Sequence, residues 1–173
     1  MEEIEIPTEH LHEAIQEKVE EAREKKEKNW SMSVAISTAL MAVLAAISGL
    51  MAGHHSNEAL IEQIKASDQW SYYQAKGIKA EIKTLELNEG KADQAAVGRY
   101  KKEQEEIRKT AEEHQAVSKL HLDKHVILAR AVTLFQIAIA ISAIAILTRK
   151  KFLWFGSIAI SIVGLYFFIS ELI

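Results

Sequence analysis

Histidine supplies most of the reactive chemistry in this sequence, and five of its seven copies (His54, His55, His114, His121 and His125) gather near the ends of two uncharged stretches. His121 and His125 are four apart, a spacing that puts both rings on one helix face and can chelate a divalent cation. A chain folded back about Gly90 brings His54 and His55 level with Ile127 and Val126, within one turn of His125. Glu58 and Asp123 would lie close enough to complete or orient such a site. His54, His55, His121 and His125 are therefore the candidate ligands of a divalent metal. The same rings titrate near neutral pH, the chemistry of a pH-responsive switch. The plainer role for His114, His121 and His125 is that of polar layers fixing the register of a helix pair. Other chemistry lacks its parts. There is no His-Glu-x-x-His pattern, Gly-rich phosphate loop or Ser nucleophile elbow, and the absence of Cys removes thiolate sites, disulfides and Cys nucleophiles. The expectation is a protein that is not an enzyme and holds no cofactor beyond that one cation.

The elements that must position these rings follow from how charge is distributed. The 173 residues are 49% hydrophobic and 26% charged, with a net charge of −3, an average that hides strong segregation. Ser31 to Gly53, Ala131 to Thr148 and Phe152 to Ser170 are uncharged runs of 23, 18 and 19 residues. Each has about the 20 apolar residues that a bilayer-spanning helix needs. The class expected is an all-α membrane protein: three transmembrane helices, with a long extramembrane helical hairpin between the first and second. Span boundaries are expected at 31–53, 126–148 and 152–173. Arg23, Lys25, Lys26 and Lys28 precede the first span, and Arg149-Lys150-Lys151 (149–151) joins the second to the third. By the positive-inside rule both lie in the cytoplasm, which three spans allow. Trp30 and Trp154 then mark the cytoplasmic interface, and residues 54–125 and the C-terminus lie outside. The small net charge gives no reason to expect a nucleic-acid partner.

Residues 54–125 read as an antiparallel hairpin turning at 88–93, with Gly90 after the first arm and Asp93 capping the second. Neither arm has a breaker where it meets its span, so both are expected to continue from the spans as single helices. The second arm carries a 3.5-residue repeat through Val97, Tyr100, Gln104, Ile107, Ala111, His114, Ser118, His121, His125, Leu128, Val132 and Phe135. The first arm offers Leu60, Ile64, Ser67, Ser71, Gln74, Ile78, Ile82 and Leu85 as its seam. Both seams are polar for an isolated pair, which points to additional copies. Trp70, Tyr72 and Tyr73 are candidates for partner or oligomer contact, or for packing on Ile107, Arg108 and Ala111.

Residues 1–30 hold ten Glu and five Lys or Arg around a narrow stripe of Leu11, Ile15, Val19 and Ala22. They read as a charged amphipathic helix that starts near Pro7 and Thr8 and leads into the first span. The spans carry small residues at helical spacing. In the first these are Ala39, Ala42, Ala46, Gly49 and Gly53, with Ala45-Gly49-Gly53 as a small-xxx-small series. The second has Ala131, Ala138, Ser142 and Ala145, and the third Ser157, Ser161 and Gly164. Small residues let helices approach closely in lipid, so Ala45, Gly49 and Gly53 are candidate oligomer contacts. No ionisable residue lies in the middle of a span, which argues against single-chain transport. Gln136 and Thr133 are the candidate wall residues of a pore shared by several chains.

Three passages resemble a known family. They are Ile6-Pro-Thr-Glu-His-Leu-His-Glu13, the first span ending Gly53-His-His-Ser-Asn-Glu58-Ala, and Gln63 to Lys76. The run Asp68-Gln-Trp-Ser-Tyr-Tyr-Gln-Ala-Lys76 is the most specific. Together they resemble the domain-of-unknown-function family numbered four-three-three-seven, over nearly the whole chain. The resemblance implies a bacterial inner-membrane location, which makes the outer side the periplasm, and it implies no catalytic residue. The expected function is that of a non-enzymatic homo-oligomeric scaffold or accessory subunit of a larger membrane complex, presenting a periplasmic coiled-coil hairpin. An oligomeric pore is the alternative, and metal binding or sensing by the juxtamembrane His is a third reading.

Overall fold

The computed structural model describes residues 8–90 and 94–172, with side chains from residue 14 onwards. Three helices account for them: α1 (Thr8–Asn88), α2 (Gln94–Thr148) and α3 (Lys151–Leu172). All three are long and apolar enough to cross a membrane. The helices α1 and α2 run unbroken through Gly53 and His121–Val132, as the lack of Pro or a Gly pair at these places predicts. Gly90 takes a positive φ of 71°, the left-handed conformation that stops a helix and that only Gly adopts without strain. The expected caps at Asp93 and around Pro7, and the side chain of Thr8, lie outside the described residues.

Two compact units emerge. The first joins the described residues up to Ala45 to Thr133–Leu165. Its core is Val34 and Met41 from α1, Phe135, Ala138, Ser142 and Ala145 from α2, and Ser157 and Gly164 from α3. The small face expected for the second span is thus the buried face, because Ala and Ser let α3 come close. Ser142 and Ser157 share a hydrogen bond of 2.8 Å, which satisfies two hydroxyls in an otherwise apolar core. The Phe135 ring fills the space over Gly164, where an added Cβ would stand 3.3 Å from it. The indole N–H of Trp154 donates to Ser37 Oγ at 3.1 Å. Arg149 joins α2 to α3 with a φ of 53°, and its guanidinium lies 3.4 Å from the Glu27 carboxylate. The Lys151 ammonium stands 5.9 Å from the centre of the Trp30 ring.

The second unit holds Ala46–Val132 and Tyr166 onwards. Here α1 and α2 run antiparallel. All twelve expected seam positions of α2 are buried or half-buried, from Val97 to Val132 in this unit and at Phe135 in the first. The expected seam of α1 is not the inner face. Leu60, Ile64, Ser67, Ser71, Gln74, Ile78, Ile82 and Leu85 are all exposed. Ala59, Ala66 and Ala80 are buried in their place. Both stripes have helical spacing. The Ala stripe wins because it lets the backbones approach until the polar side chains beside it can reach across. In the first span the stripe Ala39, Ala42, Ala46, Gly49 and Gly53 is likewise exposed, while Ser48 and Ala52 turn inward.

Candidate functional site

The α1–α2 pair is cross-linked by rungs of polar side chains. Lys76 Nζ donates to Glu103 at 2.5 Å and lies 5.3 Å and 5.4 Å from the ring centres of Tyr72 and Tyr100. Next, Gln104 reaches the carbonyl of Tyr73, passing so close to Gly77 that a Cβ there would meet its amide at 2.7 Å. His114 Nδ1 donates to Glu62 Oε2 at 2.5 Å. Ser118 Oγ donates to the carbonyl of Ala59 at 2.8 Å. Further along, His55 and His121 meet Nδ1 to Nδ1 at 3.0 Å. Last, His125 Nδ1 donates to the carbonyl of Ala52 at 2.8 Å, which leaves its other ring nitrogen without the proton when the ring is neutral.

These pairs are centred on Asn88, so the register differs by about one turn from a fold-back about Gly90. The helix α1 runs on past the level at which α2 begins, and His55 faces His121 rather than Val126. The rings are therefore partly reassorted. His55 and His121 are brought together, with His54 beside them at 5.4 Å between ring centres but exposed to solvent. His125 is committed to a backbone carbonyl. Among the described residues no three His, Asp or Glu side chains converge on one point. Two imidazoles fill half of a tetrahedral metal shell. Burial, helped by the neighbouring His121, holds the pKa of His55 below its ordinary 6.5, which favours the neutral form of the His55 ring.

One member of this layer was not singled out from sequence. Glu171, in the last turn of α3, is only 6% exposed, and the ammonium of Lys124 lies 2.8 Å from its Oε1. A lone carboxylate at the tail of an apolar helix was the available signal, and it reads as a span end rather than as a packed group. The aromatic cluster divides. Trp70 and Tyr73 are half-buried and meet edge to face at 5.5 Å, whereas Tyr72 is exposed. The indole N–H of Trp70 is buried without an acceptor among the described residues. Gln136 and Thr133 lie on an exposed face of α2, and Ala45 is half-buried while Gly49 and Gly53 are open.

A family model, described as Domain of unknown function (DUF4337), matches residues 30–173. The chain belongs to that family. No curated protein and no solved structure matches it. The DUF4337 match begins at Trp30, so it takes in every rung of the α1–α2 pair and leaves out the charged segment before it.

The rungs give this chain a pH dependence whose sign is fixed. Glu62 sits below its ordinary pKa of 4.5, chiefly through the hydrogen bond from Lys65 and next through that from His114. Its carboxylate is therefore favoured by folding. That contribution is present at neutral pH and is lost as the pH falls through 4.5 towards the lowered value. Thermal unfolding in detergent between pH 7 and pH 3 should show this loss, and Glu62→Gln should flatten the Glu62 part of it. An unchanged profile in Glu62→Gln would show that the His114 rung adds nothing to stability.

Proposed function

We propose that this DUF4337 chain is a non-enzymatic, homo-oligomeric scaffold or accessory subunit of a bacterial inner membrane. Residues 31–53, 126–148 and 152–173 cross the bilayer, the N-terminus lies in the cytoplasm, and residues 54–125 stand in the periplasm as a coiled-coil hairpin. The observation that carries this reading is the antiparallel α1–α2 pair. Polar rungs from Lys76–Glu103 down to His125–Ala52 lock it along its length, and each helix continues into an apolar segment. Such a pair is a rigid, water-compatible strut attached to a hydrophobic foot. The orientation rests on the Lys and Arg of the two flanks expected inside.

A pore between copies is the second reading, favoured by Gln136, which is polar, exposed and within the apolar part of α2. One set of measurements separates these. A phosphatase fused after Gly90 should be active in the periplasm, native mass spectrometry from lipid nanodiscs should show several copies, and reconstituted bilayers should stay non-conducting. A cytosolic reporter or a monomer sinks the scaffold. Conductance abolished by Gln136→Leu replaces it with the pore.

A further inference from the structure

The face of α1 turned away from its buried Ala59, Ala66 and Ala80 carries a second repeat. In one unit it runs Ala46, Gly49, Gly53, Leu60, Ile64, Ser67, Ser71, Gln74, Ile78, Ile82 and Leu85, and every one of these residues is exposed. Steps of three and four along it, with one interval of seven from Gly53 to Leu60, make a seam at the spacing that packs helix against helix. Its residue types change with the solvent proposed around it. Up to Gly53 they are small, which suits lipid, where close van der Waals approach drives association. Beyond Gly53 they are large and aliphatic around a polar middle, which suits water, where burial of apolar area drives it.

We propose that this face binds the same face of a second copy, with the two α1 helices parallel and in register. The proposal rests on the membrane-anchored reading above. Two copies of one topology in one bilayer stand at the same height, so each residue meets its own counterpart. The banding of the face suits that constraint: small meets small at Gly49 and Gly53, Leu60 and Ile64 meet their equals, and so do Ile78, Ile82 and Leu85. A partner anchored differently has no reason to match these levels.

The area is of the right size. Leu60, Ile61, Ile64, Ile78, Ile82 and Leu85 are each between 44% and 63% exposed. At roughly 100 Å² for each such side chain, they present about 600 Å². A stable complex buries about 800 Å² per partner, and the exposed Ala46, Gly49, Gly53, Ser67, Ser71 and Gln74 of the same face supply the remainder. Such a patch on a lone chain is at the upper end of what monomers leave open. Asp68, also exposed, sits beside the polar band, where two copies bring two carboxylates near each other. That repulsion opposes the pairing, so removing the charge should favour it.

The chain has no Cys, so single-Cys variants report on this contact without background. In native membranes under mild oxidation, Ile64→Cys and Ile78→Cys should each form a disulfide-linked dimer of the chain. Glu113→Cys, on the exposed side of α2, should not. Ile78→Asp should reduce the oligomer at least tenfold at fixed protein-to-lipid ratio, and Asp68→Asn should strengthen it. Several copies by native mass without cross-linking at residues 64 and 78 would overturn this interface while leaving the scaffold reading intact. Cross-linking to a protein of different mass, or weaker assembly in Asp68→Asn, would assign the face to a different, basic partner and overturn it as well.

Discussion

Lys124→Ala should destabilise the folded chain by about 3 kcal/mol, whereas Lys124→Met combined with Glu171→Leu should restore stability to near that of the parent. The asymmetry follows from burial. Glu171 is 6% exposed with the Lys124 ammonium 2.8 Å away, so removing the lysine strands a carboxylate in a site closed to water. Replacing both ends removes the desolvation cost together with the attraction. Equilibrium unfolding by a titrated denaturing detergent, read by far-ultraviolet circular dichroism, measures each variant. Equal stability of Lys124→Ala and the parent would mean that water reaches Glu171 and that this contact does not hold the end of α3.

Phe135→Ala should cost a comparable amount, about 3 kcal/mol, and for a different reason. Phe135 is fully buried and leans on Gly164, so truncation leaves a void in the core. Gly164→Leu alone should also destabilise, by about 1–3 kcal/mol, since its Cβ would meet Leu134 and Phe135 at 3.3 Å. Together the two substitutions should cost less than their sum, because the new leucine fills part of the space left by the ring. The same unfolding assay tests the cycle. Strict additivity would show that the two residues do not share one packing site.

Which parts of this molecule could be read from residues alone depended on whether rival patterns existed. The three helices were legible because uncharged runs of 18 residues or more have few other uses. The inner face of α2 was legible because Ile107, Ala111, Leu128 and Phe135 form one stripe with no competitor. On α1 two stripes have similar spacing, and the more apolar one, with Leu60, Ile64 and Ile78, is the exposed one. Periodicity measures hydrophobicity but not closeness of approach, so it could not rank Ala59, Ala66 and Ala80 above them. The register was off by one turn because a loop has no periodicity from which its midpoint can be read. That turn decides the candidate site: it pairs His55 with His121 and sends His125 to the Ala52 carbonyl. Glu171 escaped because one carboxylate beside the end of an apolar run carries no partner's address.

The rung-by-rung registry of α1 against α2 also governs which changes in arm length the protein tolerates. A residue inserted in one arm alone, between Glu62 and Lys76 for instance, turns every later side chain of that arm by about 100° and separates Lys76 from Glu103. Seven residues added to each arm at matching heights would keep both faces aligned and lengthen the strut by about 10 Å. Relatives that differ in reach are therefore expected to differ by paired heptads, with the deletions and insertions of one arm mirrored in the other.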